Sequence, residues 1–319
     1  MIKTEKKPLI VIAGPTASGK SDTAAELGRL IGGEVVSADA MQVYKYMDIG
    51  SAKVTKEEML GVPHHMIDVA EPTEAFDVTR YAAMAKACIE DIHRRGRIPI
   101  LCGGTGFYIQ AVVRDIDFEE TTGDPLFRKK LMAEAEALGN EALHERLRAV
   151  DPVSAEAIHP NNIRRVIRAL EYFEETGRTI SSHNEEEAAK ASPYDLSFYC
   201  LNDERERLYE RIDHRVDFML DCGLVEEIKF LKSMGLTADM VSMQGIGYKE
   251  MLNYLDGLTS YEEAVRLVKR NSRHYAKRQV TWFKREREVR WLMVGDFDCQ
   301  PLRIAEHIAG EVRPQSEET

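Results

Sequence analysis

The sequence has no run of apolar residues long enough to cross a bilayer, which takes about 20 residues. Its start, MIKTEKKPLIVIAG, does not read as a signal peptide either: it holds only a short apolar stretch that runs straight into a glycine loop, as a buried strand does. Paired cysteines are missing. Cys88, Cys102, Cys200, Cys222 and Cys299 form no CxxC pair and are odd in number, which argues against a zinc site or a disulfide framework and fits a reducing cytoplasm. Net positive charge is missing as well: 43 Lys and Arg against 54 Asp and Glu leave −11. A chain of that sign repels a phosphate backbone as a whole, so any RNA binding must come from local basic patches.

What is present is ordinary for a globular protein: 44% hydrophobic and 30% charged residues over 319 positions. That length exceeds most single cores and predicts a main domain with an insert or second lobe.

Residues 8–13, PLIVIA, read as a short buried strand, and DTAAELGRLIG after residue 21 reads as a helix. Between them stand Gly14, Pro15, Thr16, Ala17, Ser18, Gly19, Lys20 and Ser21, which match G-x-x-x-x-G-K-[ST] in the context that motif needs. The glycines let successive N–H groups point at phosphate oxygens. Lys20 adds positive charge, the helix N-terminus adds more, and the Ser21 hydroxyl is suited to Mg2+. The motif predicts a diphosphate or triphosphate site and does not specify ATP.

A nucleotide-hydrolysing protein of this kind usually carries a second strand ending in a Mg2+-directing Asp. Here RIPILCGGTGFY (97–108) ends in glycines, with Thr105 as a hydrogen-bonding residue. EVVSADAMQVY (34–44) instead carries Asp39, at the carboxyl end of its strand, where α/β sheets place ligands. Asp39 is therefore a candidate general base for an incoming nucleophile; the bland alternative is a turn or cap residue. Arg211 and Arg215, four apart on one helix face, could reach the same phosphates; the alternative is a solvated pair with Glu210 and Asp213.

Residues 126–150 and 161–177 show apolar positions at helical spacing, with HPNN as a start and Gly177 as a stop. Residues 181–193 are polar and turn-rich and read as a mobile loop. The expected architecture is an α/β, P-loop NTPase-like core with a mostly parallel sheet over 1–116 and 199–295. An all-helical insertion occupies 117–198, and 296–319 is a tail without usable signal. Ten Lys and Arg against four Glu lie in 261–290, beside Tyr275, Trp282 and Phe283. The arginines suit RNA phosphates, whereas the aromatics read as core. His64 and His65 are adjacent and lack a third ligand, so PHHMID reads as a structural loop. No heptad face is evident, which suggests a monomer.

GPTASGKS, SADAMQVYKYMDIGSAK (37–53), VPHHMIDV (62–69) and GGTGFY (103–108) together resemble the tRNA dimethylallyltransferase (tRNA isopentenyltransferase) family. NNIRRVIRALE, RIDHRVDFML, QGIGYKE and YAKRQVTWF follow in the right order, and the ordered set spans residues 8 to about 291. The resemblance implies transfer of a dimethylallyl group from dimethylallyl diphosphate to N6 of adenine 37 of tRNA, beside the anticodon, with Mg2+ as the cofactor. It implies that Gly14–Ser21 hold the diphosphate. It places the acid of the family's D-S-M-Q motif on Asp39 and a base-recognising amide on Gln42; Ala40 stands where Ser is common. It also points to Ala40, Met41, Thr105, Arg128 and Arg164, Arg165, Val166, Ile167 and Arg168 as tRNA contacts, and to the helical insert as the binder of the anticodon loop. Thr16 would then hydrogen-bond the leaving oxygen and Lys20 would stabilise its charge. The rival readings are an ATP-using small-molecule or nucleoside kinase and a non-catalytic RNA-binding module.

Overall fold

The computed structural model describes residues 6–118 and 124–312. Contacts divide the chain into two compact units, residues 1–113 with 193–319, and residues 114–192.

The first unit is built on six parallel strands in the order β3-β2-β4-β1-β5-β6. They are β1 (Pro8–Ala13), β2 (Glu34–Ser37), β3 (His64–His65), β4 (Pro99–Gly103), β5 (Asp195–Asn202) and β6 (Val289–Met293). The inner strands are apolar on both faces, as a sheet covered by helices on both sides requires. Leu9, Val11 and Ala13 of β1 face one core and Ile10 and Ile12 the other. The first core is closed by α2 (Val78–Arg94), α3 (Gly106–Val113), α10 (Leu224–Ser233), α11 (Tyr248–Leu255) and α12 (Tyr261–Phe283). The second is closed by α1 (Lys20–Ile31) and α13 (Pro301–Val312).

The second unit holds α4 (Pro125–Leu138), α5 (Asn140–Val150), α6 (Pro152–Ala157), α7 (Ile163–Thr176) and α8 (Ile180–Ala189). Leu131, Leu143, Leu147, Val166, Ile167 and Leu170 meet at its centre. Asp151 caps α6 and also accepts from the Ser181 backbone N–H, which ties α8 to the bundle.

Four expectations need correction. The helical unit ends at Ser192, and residues 195–198, expected in the insert, pair with β1 as the start of β5. Their alternation of apolar and polar residues is short and was outweighed by the neighbouring polar stretch. Residues 181–193 are mostly helical: Thr179 caps α8, and its run of Glu and Ala has good helix propensity. The supposed tail carries α13, whose Ile304, Ala305, Ile308 and Ala309 cover the sheet beside α1; residues 313–319 lie outside the described residues.

His64 and His65 are an edge strand rather than a loop. His65 Nε2 lies 2.8 Å from Glu34, and His64 Nδ1 contacts the Val62 carbonyl at 2.9 Å. Glu34 is 1% exposed and also bonds Arg95, 2.8 Å from its Nη2. The Arg95 guanidinium, with His65, holds the Glu34 carboxyl down at about 2 against an ordinary 4.5, despite burial. A depressed carboxylate contributes stability above its unfolded pKa and loses it as pH falls through the folded one. Wild-type stability is therefore expected to fall from pH 4.5 towards pH 2. Glu34→Gln, measured by urea denaturation, should be less stable at pH 7 because the exposed Arg95 guanidinium loses its carboxylate partner, and should lose part of that acid-side slope.

Candidate active site

The carboxyl ends of β1, β2 and β4 converge on one cavity, lined among others by Thr16, Lys20, Ser21, Asp39, Gln42 and Arg215. Ser51, Cys102, Tyr275 and Gln279 complete much of the wall.

The loop after β1 has the shape its sequence predicts. Ala17 (φ 62°) and Gly19 (φ 83°) both take left-handed conformations, and Gly19 is the N-cap of α1. Such a turn directs successive N–H groups into one concavity, which binds anions. Gly19 makes the conformation cheap; Ala17 is held there because its methyl is buried against Leu208 and Ile212 of α9 (Arg205–Asp221) and Ala276 of α12. The Lys20 ammonium reaches the Pro15 carbonyl at 3.3 Å. Desolvation lowers its pKa from 10.5, and the Arg215 charge acts in the same direction.

Arg211 and Arg215 are not a solvated pair. Arg211 stands beside Gly19, with Nη2 3.5 Å from where a Cβ would sit, and pairs at 3.6 Å with Asp203, whose side chain is 1% exposed. Arg215 lines the cavity and makes no hydrogen bond or ion pair among the described residues. Desolvation lowers its pKa, with Asp39 and Asp22 opposing that effect. Asp213 is bound to Arg273 instead. Lys20 and Arg215, both desolvated, beside a nest of amides form a site for a multiply charged anion.

Asp39 takes the turn role and also faces the cavity. Its Oδ1 accepts from the Met41 and Gln42 N–H groups at 2.9 and 3.4 Å, so it does organise a turn. Its Oδ2 makes no hydrogen bond among the described residues, and the side chain lines the cavity. The Thr105 hydroxyl accepts from the Ala40 N–H at 3.1 Å and so braces the same turn. Gln42 is 7% exposed; its amide oxygen accepts from Ser37 Oγ (3.2 Å), and its Nε2 donates to the Ala52 carbonyl (3.2 Å). One N–H of that amide remains for another partner.

The residue most clearly missed from the sequence is Gln279. Its Oε1 accepts the Thr16 N–H at 2.9 Å, and its Nε2 donates to the Gly104 carbonyl at 2.9 Å. It thus joins α12 to the phosphate loop and to the turn after β4. A Cβ on Gly104 would collide with this amide, so the second glycine cluster exists for close approach. Tyr275, one turn earlier, lines the same cavity; burial, with the Asp39 charge behind it, pushes its hydroxyl up to about 12, so it stays neutral. Only the spacing of Tyr275 and Gln279, four apart on a helix, hinted at a shared face.

Other predicted contacts fall elsewhere. The Arg128 guanidinium is held bidentately by buried Glu171, at 2.7 and 2.9 Å, and links α4 to α7. Arg164, Arg165 and Arg168 are exposed on α7. Val166 and Ile167, predicted to touch RNA, are 0% and 3% exposed in the helical core. Their side chains are unavailable to RNA, because a helix turns 100° per residue and a contiguous segment cannot share one face. On α12 and just beyond it, Lys277, Arg278, Lys284 and Arg285 are exposed, whereas Arg266, Lys269 and Arg273 are ion-paired within the fold.

Because a phosphate anion must meet two desolvated cations, its affinity has a predictable pH dependence. Binding favours charged Lys20 and returns its pKa upward, so protons are taken up between the free and bound values. Pyrophosphate affinity, followed by isothermal titration, is expected to fall as pH rises through the lowered Lys20 pKa.

A family model described as IPP transferase matches residues 42–286. The tRNA dimethylallyltransferase of Lachnoclostridium phytofermentans is 52% identical over 302 residues, covering 95% of this chain and 96% of that protein. The enzyme of the same name from Caldanaerobacter subterraneus subsp. tengcongensis is 48% identical over 310 residues, covering 96% and 98%. Among solved structures, the full-length tRNA isopentenylpyrophosphate transferase of Bacillus halodurans superposes with a TM-score of 0.72 at 47% identity, covering 96% of this chain and 97% of that one. A eukaryotic dimethylallyltransferase acting on tRNA gives 0.80 at 31% identity, over 98% and 81%. With a nest of amides, two desolvated cations and a carboxylate at one cavity, and relatives matching over nearly its full length, this chain belongs to the IPP transferase family.

Proposed function

We propose that this protein transfers a dimethylallyl group from dimethylallyl diphosphate to N6 of adenine 37 in the anticodon loop of tRNA. The observation that carries the reading is that two desolvated cations, Lys20 and Arg215, and the Asp39 carboxylate with one oxygen unbonded line the same cavity. A phosphoryl-transfer site would need its acceptor and its acid arranged around a terminal phosphate. Here one cavity offers cations to a leaving anion and a carboxylate to an incoming base. The kinase alternative is not favoured, since the curated relatives and the solved structures are named tRNA prenyl transferases.

The adenine N6 lone pair is delocalised into the ring and is a weak nucleophile. N6 attacks C1 of the dimethylallyl group, the C1–O bond breaks, pyrophosphate departs with the bonding pair, and an N6 proton passes to Asp39 Oδ2. The loop N–H groups, Lys20 and Arg215 stabilise the charge that develops on pyrophosphate. Because the Thr16 N–H is taken by Gln279, that residue's contribution to the leaving oxygen falls to its hydroxyl. The Ser21 hydroxyl, in the cavity beside the nest, fits Mg2+, which takes one or two protein oxygens with phosphate and water; when bound, the ion supplies further charge to the leaving pyrophosphate.

Gln42 reads the flipped adenine through its spare amide N–H, and unstacking that base costs a few kcal/mol. Exposed Arg164, Arg165 and Arg168 on α7 offer charge to RNA phosphates, as do Lys277, Arg278 and Lys284 around α12. No described helix is long and apolar enough to cross a membrane.

The test is to incubate the protein with unmodified tRNA, Mg2+ and either labelled dimethylallyl diphosphate or labelled ATP. Label moving from the prenyl donor to adenine 37 is the expected result. ATP-dependent phosphoryl transfer without prenyl transfer defeats the reading.

A further inference from the structure

Glu227 lies on α10, outside every motif described above, yet its carboxylate is the most heavily engaged acceptor near the site. Its Oε2 accepts from the Asp48 and Ile49 N–H groups at 2.8 and 2.7 Å. Its Oε1 accepts from the Gly50 N–H at 3.1 Å and the Tyr248 hydroxyl at 2.8 Å. Three successive backbone donors on one carboxylate hold a charged acceptor in a loop that has no regular structure of its own, and charge-assisted bonds of this kind are about twice as strong as neutral ones.

Tyr248, at the start of α11, is fully buried and stands behind the same loop. A Cβ on Gly50 would lie 2.5 Å from its ring, so the backbone is pressed against the aromatic face. On the near side, Lys53 anchors the loop by donating to the Tyr44 carbonyl (2.8 Å) and to Asp48 and Asp68 (2.5 Å each). The segment between these two anchors contributes Ser51 to the cavity wall and the Ala52 carbonyl to Gln42 Nε2.

We infer that Glu227 is a positioning residue for acceptor recognition: through the 48–52 loop it fixes the carbonyl that orients the Gln42 amide. This rests on the proposed reading of Gln42 as the residue that meets adenine. It makes base selection depend on a carboxylate that touches neither substrate. It also separates the two halves of the site, because no contact in this chain of bonds involves the phosphate loop, Lys20 or Arg215.

The experiment is a double-mutant cycle with a chemical readout. Two RNA stem-loops are compared, one with adenosine at the target and one with 7-deazaadenosine, which keeps the N6 nucleophile and lacks the N7 acceptor. The wild type should prefer adenosine by about 5-fold, the effect of one hydrogen bond. Gln42→Ala should abolish that preference. Glu227→Gln turns an NH2 donor toward at least one of the three N–H groups; it should erase the preference too and lower kcat/KM for the RNA about 10- to 100-fold. Inhibition by inorganic pyrophosphate should stay as in the wild type. The double variant should be no worse than Gln42→Ala, since both act through one amide. Tyr248→Phe, which removes one of four bonds and keeps the ring against Gly50, should weaken the preference partway, and it carries the cycle if Glu227→Gln does not fold. Additive losses, or a preference for adenosine over 7-deazaadenosine unchanged in Tyr248→Phe and Glu227→Gln, overturn the inference alone. A wild type that moves no prenyl group to either RNA overturns the proposed function and this inference with it.

Discussion

Asp39→Asn is expected to lower turnover about 100- to 10,000-fold, the range for loss of a general base, with RNA affinity changed no more than a few-fold. The choice of Asn follows from the geometry. Oδ1 of Asp39 accepts from the Met41 and Gln42 N–H groups, and an amide oxygen can keep both bonds while the other atom loses its basicity. Asp39→Ala should lose the same chemistry and also the turn, at a further cost of about 1 kcal/mol, typical of a lost cap. Single-turnover rates with labelled donor measure the first effect, and thermal unfolding separates the second. If Asp39→Asn keeps near-wild-type turnover, the proton leaves by another route.

Lys20→Met should remove at least about 100-fold of turnover, the usual effect of losing one preorganised partner of a developing anion. Stability should move the other way or stay level. The Lys20 ammonium is desolvated, with its pKa lowered by burial and by Arg215, so in the free protein it opposes folding. Met keeps the volume and drops the charge. Pyrophosphate inhibition measured on the variant should weaken in parallel with the rate, and its pH dependence should flatten. A variant with intact pyrophosphate affinity would show that Arg215, Arg211 and the loop amides suffice without the lysine.

Several losses of activity are expected from residues that touch no substrate, and they share one cause. Gln279, Thr105 and Glu227 each hold backbone that a catalytic side chain depends on. Every one of them sits on a helix or turn packed into the larger core. A shift of about 1 Å there is enough to lose orders of magnitude in rate.

The sequence by itself determined the phosphate loop, because its signal is local: a strand, a glycine turn and a helix within 24 residues, each obeying its own backbone chemistry. It also determined the parallel sheet around β1, β2 and β4, whose apolar runs are short and end in turn residues, and most of the helical unit, whose apolar period is that of a helix. Only the tertiary structure decided the rest. Val166 and Ile167 read as part of an RNA-contacting segment until the rotation of α7 turned them inward. The residues after 296 carried no motif, yet the sheet's second face was left uncovered and α13 fills it. Gln279 and Glu227 lie 263 and 177–179 residues from the backbone groups they hold. A polar side chain written into a sequence states what it can donate or accept; which distant amide stands opposite it is settled by how the strands and helices pack.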